Sequence, residues 1–146
     1  FPTKDIGQVT SPLSYLVITK DEEGRFWWPA IPINTIGDMI NGEGYQYKMD
    51  LPGVLYLCGD LLVPETTPIV LKDGYNYLGY LRLNPSPVDY EMTQSGITGL
   101  IYVKDEDGNI YWPAFGLNLI GNFNAGKGYQ VKMELNQPQN FYFSPN

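Results

Sequence analysis

The sequence contains no histidine and one cysteine, Cys58. The absence of histidine removes the commonest general base near neutral pH and the commonest protein ligand for transition metals. One cysteine excludes a disulfide within the chain, and the apolar stretch around it, GVLYLCGD, favours a buried thiol. Phosphate-binding glycine loops, nucleophile elbows and cysteine clusters are also missing. We therefore predict a protein that is not an enzyme and that carries no cofactor and no metal.

Basic residues and long apolar runs are equally scarce. Nine Lys and Arg stand against 16 Asp and Glu, which gives a formal net charge of -7 and no basic patch for a polyanion. No apolar run reaches the roughly 18 residues of a membrane-spanning helix, and no segment resembles a signal peptide. We predict neither nucleic-acid binding nor membrane insertion. Phe1 is not an initiator Met, which fits either a processed chain or part of a longer one.

The residues that are plentiful favour strands and turns. With 12 Tyr, 16 Gly and 12 Pro, the composition is typical of an all-β protein with tight connections. Residues 15–49 match residues 99–133 at a constant offset of 84, with 17 identities in 35 positions. Such a match indicates an internal repeat. We predict two tandem homologous β-modules, small sheets or barrel-like sheets, over residues 1–62 and 63–146.

Each copy of the repeat predicts a β-hairpin, with DEEG at 21–24 or DEDG at 105–108 as its turn. A four-residue loop places Lys20 opposite Arg25 and turns Phe26 and Trp28 towards the core. A three-residue loop with a glycine bulge would set Lys20 beside Phe26 and so put a charge on the apolar face. The four-residue loop is therefore the preferred prediction, with Ile110 and Trp112 as the inward residues of the second copy.

This register leaves one aromatic pair of each hairpin on the outward face. Trp27 then lies beside Ile18, and Tyr111 lies beside Tyr102. An apolar pair repeated in both modules is a patch that a sugar ring, a neighbouring subunit or the other repeat could cover. These four residues are the candidate interface or glycan contacts.

The first module lacks one element that the second has. The best additional strand, GYNYLGYLRL, begins at Gly74, and its counterpart 84 residues earlier would precede Phe1. The vacancy is expected to be filled by NFYF at 140–143 or by a segment of another molecule. The candidate residues for strand exchange are Tyr75, Tyr77, Phe141, Tyr142 and Phe143.

The turn of the second copy also carries alternating oxygen side chains. Asp105, Asp107 and Asn109 match the start of a calcium loop, but the later ligands are missing, and Arg25 replaces the last of them in the first copy. A plain turn explains both copies, so no metal site is predicted.

The succession of GYNYLGYL, IYVKDEDGNIYWPAFGLNLIGNF and GKGYQVKM resembles a repeat module of secreted and cell-surface proteins, especially from Bacteroidetes-type bacteria. That module opens with Gly-Trp-Asn-Leu-Ile-Gly, continues with a Lys-Asp-Xaa-Xaa-Gly turn and closes with a Gly-Tyr-Gln strand. Here Tyr75 stands where Trp is common, and the first copy has no such opening. The resemblance covers residues 70–134 and, in part, 15–50. It implies an extracellular or surface location and a role as a repeated building or binding module, and it transfers no catalytic residue.

Three functional hypotheses follow. The first is a non-enzymatic extracellular structural subunit that assembles with copies of itself into a filament or surface array through strand exchange. The second is a carbohydrate-binding or adhesin module with Trp27 and Tyr111 as stacking platforms for a polysaccharide. The third is a part of a longer repeat protein.

Overall fold

The computed structural model describes residues 4–145 and shows an all-β protein with two short helices and one 3-10 turn in this range. The chain forms two compact units. The first contains the residues up to Asn41 and Tyr45–Leu61, and the second contains Gly42–Gly44 and the residues from Leu62 onward. The elements of the first unit are α1 (Ile6–Val9), β1 (Leu16–Lys20), β2 (Phe26–Trp28), β3 (Ile33–Asn34) and β4 (Gln46–Met49).

The second unit is larger. Its elements are β5 (Ile69–Leu71), β6 (Gly74–Gly79), β7 (Ser86–Pro87), α2 (Val88–Gln94), β8 (Leu100–Lys104), β9 (Ile110–Trp112), the 3-10 turn (Pro113–Phe115), β10 (Leu117–Asn118), β11 (Asn122–Phe123), β12 (Gly128–Met133) and β13 (Gln139–Phe141).

The main sheets of the two units share a strand order. The first unit has an antiparallel sheet in the order β3-β2-β1-β4, and the second has the order β10-β9-β8-β12-β6. The first four strands correspond one to one, while β6 has no counterpart in the first sheet. Two short ladders, β11–β7 and β13–β5, complete the second unit. The prediction that the units are tandem copies of one module stays a prediction.

The predicted hairpin register of the first unit is wrong. The structure pairs Thr19 with Trp27 and Lys20 with Phe26, and the Asp21 N–H donates to the Arg25 carbonyl at 3.1 Å. The Asp21 carboxylate decides the turn, because its Oδ1 accepts from the backbone N–H of Glu23 (3.0 Å) and of Arg25 (2.8 Å). This arrangement is the three-residue loop that charge placement disfavoured; Lys20 instead lies exposed on the outward face.

The second hairpin shows the same register. Val103 pairs with Tyr111 and Lys104 with Ile110, and Asp105 Oδ1 accepts from the backbone N–H of Asn109 at 2.8 Å. Gly108 in this turn adopts a φ of 86°, a left-handed value that glycine takes without strain. A one-residue change of register turns every side chain of the shifted strand to the other face. The outward and inward aromatics of β2 and β9 are therefore exchanged relative to the prediction, while β1 and β8 keep their predicted facing.

The core of the second unit is built from one face of its main sheet and from the C-terminal segment, residues 139–145. Fourteen apolar side chains are buried together: Ile69, Leu71, Leu78, Tyr80, Val88, Met92, Val103, Tyr111, Phe123, Tyr129, Val131, Met133, Phe141 and Phe143. Phe141 and Phe143 meet edge to face, with ring centroids 4.8 Å apart. Strand β13 pairs with β5 of the same unit, from Gln139 opposite Leu71 to Phe141 opposite Ile69. The prediction that 140–143 fills the first module is therefore wrong, because Phe141 and Phe143 are core residues of the second.

A buried ionic cluster holds the end of the C-terminal segment. The fully buried Glu91 accepts the Ser144 N–H through Oε2 (2.8 Å), and its Oε1 lies 3.7 Å from Arg82 Nε. Arg82 also forms an ion pair with Glu65 (2.8 Å) and donates to the Ser144 carbonyl. The C-terminal segment is thus anchored by both charge and packing.

The first unit has a thin core. Three apolar side chains of its described residues are buried, Ile6, Leu16 and Ile36. Trp27 adds to them from the sheet, because its indole N–H donates to Thr10 Oγ1 at 3.1 Å. The ring also packs on α1, where a Cβ at Gly7 would lie 3.3 Å from Trp27 Cζ2. Gly7 on α1 therefore makes room for the indole.

Candidate functional site

The first candidate site is the outer edge of β4. Among residues 4–145, β4 pairs with β1 alone. In the second unit the equivalent strand, β12, pairs with β8 on one side and with β6 on the other over six residue pairs, from Gly128–Gly79 to Met133–Gly74. The first sheet therefore ends in an unpaired row of backbone groups, which is a template for strand addition.

The side chains of β4 show the same lack of cover. Tyr47 is 37% exposed, whereas Val131, 84 residues later, is fully buried. Met49 is half-buried, whereas Met133 is 1% exposed. Tyr47 lies opposite the buried Thr19, so it belongs to the core face of the sheet. Core-facing residues that remain accessible indicate that a covering layer is absent.

The segment that follows β4, residues 51–61, is rich in apolar residues and largely exposed. It contains no strand or helix. Its exposed apolar side chains are Leu51 (51%), Val54 (68%), Tyr56 (85%), Leu57 (52%) and Leu61 (71%). Cys58 is exposed as well, so the predicted burial of its thiol is wrong. The apolar neighbours that suggested burial are themselves uncovered.

This segment corresponds to a strand of the second unit. At the offset of 84, residues 55–57 match Gln139–Phe141, which form β13 and pair with β5. Residues 55–57 have no pairing partner within the described chain. Both vacancies of the first unit, at β4 and at 55–57, therefore match the two strands β5 and β6, which are consecutive in the chain.

The second candidate site is an aromatic face on the outward side of the second sheet. Tyr102 and Trp112 have ring centroids 6.0 Å apart, and Trp112 meets Phe115 at 4.6 Å. Tyr75 continues the row, since the hydroxyls of Tyr102 and Tyr75 are 3.3 Å apart. That hydrogen bond, together with partial burial, raises the pKa of Tyr102. Lys132 Nζ lies 4.4 Å from the centre of the Tyr75 ring, a cation–π contact.

The four predicted contact residues are divided between the two faces. Tyr102 belongs to the aromatic face, and Ile18 lies half-buried on the outward side of the first sheet. Tyr111 is 9% exposed and belongs to the core of its unit, while Trp27 binds Thr10 on the covered side. The outward placement of Trp27 and Tyr111 is therefore wrong, for the register reason given above.

Trp112 was missed as a surface aromatic because the four-residue loop turned it inward, and Phe115 lies in the 3-10 turn beyond the predicted hairpin. A signal for the correct register was present in the sequence. Asp at the first turn position accepts hydrogen bonds from backbone N–H groups two to four residues later, which favours the three-residue loop in both copies. Tyr75 and Tyr77, predicted for strand exchange, lie in β6 and pair with β12 of their own unit.

The Asp105 carboxylate, which suggested a calcium loop, accepts hydrogen bonds from groups within its own turn. Asp105 Oδ1 accepts from the N–H groups of Asp107 and Asn109, and Oδ2 accepts from Asn109 Nδ2 at 2.8 Å. Within residues 4–145, no group of three or more His, Cys, Asp or Glu side chains is placed to hold a metal ion. The carboxylate therefore serves to close the turn.

Comparison with protein-family models, with curated proteins and with solved structures found no match for this chain. The resemblance to secreted repeat modules thus depends on the sequence motifs alone. Over the described range of the chain, no helix is both long and apolar enough to cross a bilayer.

Proposed function

We propose that this protein is a non-enzymatic structural subunit whose first unit is completed by backbone from another polypeptide. The observation that carries the proposal is the open edge of β4, because the equivalent strand of the second unit has a neighbour on both sides. In an isolated protein, an accessible strand edge beside exposed apolar residues favours aggregation. A partner strand would bury both features.

Addition of a backbone strand to β4 is energetically favoured over contact with its side chains alone. An added strand satisfies the unpaired N–H and C=O groups of β4 and also covers Tyr47 and Met49. Where the strand is carried by a neighbouring subunit, repetition of the contact from head to tail gives a filament or a surface array. An extracellular or surface location is part of the proposal, supported by the motif resemblance.

The test uses a strand that is known to fit the equivalent edge. The probe is a labelled peptide with the sequence of residues 74–81, GYNYLGYL. In the protein this sequence contains β6, which pairs with β12 of the second unit. We expect the peptide to bind the intact protein, measured by fluorescence anisotropy, and to slow amide hydrogen exchange at residues 46–49. A peptide of the same composition in scrambled order is the control.

Protection of residues 46–49 by the ordered peptide and not by the scrambled one would support the proposal. Absence of binding by this peptide, and by a longer one that includes β5, would overturn it. Light scattering and negative-stain microscopy of the protein alone then separate association between copies from completion by a different protein.

A second function, binding of a polysaccharide, is favoured by the aromatic face. Phe115 is 73% exposed and Leu117 is 38% exposed beside the half-buried Trp112. Exposed aromatic rings offer stacking surfaces to the apolar faces of sugars, and Lys132 offers a hydrogen-bond donor nearby.

A glycan array with the protein and two matched variants tests this function. Trp112→Ala should abolish any glycan signal, because Trp112 lies between Tyr102 and Phe115. Trp28→Ala is the control, since Trp28 is the equivalent residue of the first unit and is 40% exposed. An absent signal with the unaltered protein, or equal loss in both variants, would remove this candidate.

A further inference from the structure

Building on the proposed function, we infer that the first unit accepts one continuous two-strand segment, with one strand on β4 and the other on residues 55–57. The two-strand segment of the second unit, residues 69–79, is the template for the partner. Its chemistry is a short apolar strand, a tight turn and a second strand with alternating apolar residues. A single added strand would leave residues 55–57 without backbone partners.

The second unit shows how such a segment joins two ladders. Strand β5 pairs with β13, and β6, which follows after Lys72 and Asp73, pairs with β12. Because the chain passes directly from one ladder to the other, both pairings are made by one piece of backbone. The sequence of β12, GYQVKM, differs from GYQYKM at 44–49 at one position of six, so the edge that receives the second strand is nearly the same.

The turn inside the two-strand segment is closed by its own side chain. Asn76 Oδ1 accepts the Lys72 N–H (2.7 Å), and Asn76 Nδ2 donates to the Lys72 carbonyl (2.9 Å). Asn76 is 1% exposed, so the amide is buried with its hydrogen bonds made. The partner is therefore expected to carry an asparagine, or another side chain with both a donor and an acceptor, at this position.

The apolar residues of the segment supply the cover that the first unit lacks. Ile69, Leu71 and Leu78 are 4%, 1% and 0% exposed in the second unit. By the same register, the residue equivalent to Ile69 would lie opposite Leu57, as Ile69 lies opposite Phe141. The residue equivalent to Asn76 would lie opposite Tyr47, as Asn76 lies opposite Val131. Leu57 and Tyr47 would then be covered by one partner.

Residues 69–79 of a second folded copy are not the donor. They fill the core of their own second unit, and moving them would expose the fourteen-residue cluster to which they belong. The donor is therefore a segment of this pattern on a partner polypeptide that has not already used it.

The experiment compares one strand with two. Two labelled peptides are titrated into the full chain, the one-strand peptide with residues 74–81 and the two-strand peptide with residues 67–81. We expect the two-strand peptide to bind at least tenfold more tightly and to slow amide exchange at both 46–49 and 55–57. The one-strand peptide should protect 46–49 alone.

Two variants of the protein make the test specific. Leu57→Asp should remove the tenfold advantage of the two-strand peptide and leave the affinity of the one-strand peptide unchanged. Tyr56→Asp is the matched control, because Tyr56 is 85% exposed and its counterpart, Asn140, is exposed in the second unit. The affinity of the Tyr56→Asp variant for both peptides should equal that of the unaltered protein.

The outcomes separate this inference from the proposed function. Equal affinity of the two peptides, with no protection of 55–57, would overturn the two-strand inference and leave strand addition at β4 in place. Binding of neither peptide would overturn both.

Discussion

Leu57 and Phe141 stand 84 residues apart at equivalent positions, yet Leu57 is 52% exposed and Phe141 is fully buried. The difference follows from their neighbours. Phe141 lies opposite Ile69 of β5, whereas no strand lies beside Leu57 in the described chain. One sequence position thus has a core environment in the second unit and a surface environment in the first.

This pair gives a first prediction on stability. Phe141→Ala should lower the free energy of unfolding of the second unit by about 3–5 kcal/mol, because it removes a large buried ring and leaves a cavity. Leu57→Ala should change the free energy of unfolding by less than about 0.5 kcal/mol, as expected for a surface position. Urea unfolding followed by tryptophan fluorescence and circular dichroism measures both. Similar losses in the two variants would contradict the assignment of Leu57 as uncovered.

A second prediction concerns Glu91. Glu91→Ala should destabilise the second unit by about 3–5 kcal/mol, because it leaves the half-buried Arg82 without its buried partner and removes the acceptor of the Ser144 N–H. Limited proteolysis should then cut within the C-terminal segment. Glu65→Ala is the control and should cost less, since Glu65 lies at the accessible end of the cluster with 31% of its side chain exposed. A larger loss in Glu65→Ala would contradict the buried anchor.

The same cluster predicts a pH dependence. A hydrogen bond from its own backbone N–H, followed by the contact with Arg82, lowers the pKa of Glu65. A carboxyl group whose pKa is lower in the folded state contributes stability above its unfolded pKa and loses it as the pH falls through the folded value. Unfolding free energies measured from pH 6 down to acid should therefore fall less steeply in Glu65→Gln. If the unfolding free energy of this variant falls with pH as steeply as that of the unaltered protein, the prediction is contradicted.

Two glycines allow a matched backbone test. Gly99 has a φ of 74°, and a Cβ at this position would lie 2.2 Å from the Glu134 carbonyl oxygen. Gly96 has a φ of 69°, and no atom would lie within 4 Å of its Cβ. Gly96→Ala should cost about 1–2 kcal/mol through the left-handed backbone alone, and Gly99→Ala should cost clearly more. Thermal unfolding measures the difference, and equal values would contradict the close approach at Gly99.

The composition was sufficient to predict an all-β fold, because tyrosine, glycine and proline report directly on strands and turns. The predicted facing of the hairpins was wrong, since it depends on a single hydrogen-bonding choice. The Asp21 and Asp105 carboxylates accept hydrogen bonds from backbone N–H groups and favour a loop of three residues over one of four, which outweighs the placement of Lys20. A local polar contact of about 1 kcal/mol therefore decided which aromatics reach the surface.

The role of the C-terminal segment could not be predicted for a different reason. Phe141 and Phe143 are apolar and follow a proline, which fits a donor strand as well as a core strand. Their position is decided by β5, which lies about 70 residues earlier in the chain, and by the anchor at Glu91. Pairings over such separations leave no periodicity in either segment alone.

The edge of β6 that faces away from β12 is covered at residues 77–79. The Gly44 N–H donates to the Tyr77 carbonyl (2.7 Å), and the Gly79 N–H donates to the Gly42 carbonyl (2.8 Å). A Cβ at Gly79 would lie 2.9 Å from the Glu43 carbonyl oxygen, so glycine is required for this approach. The solubility of the protein during storage should accordingly be limited by its first unit. Additives or charged substitutions that prevent precipitation will be effective at β4 and residues 51–61, and will bring little benefit at β6.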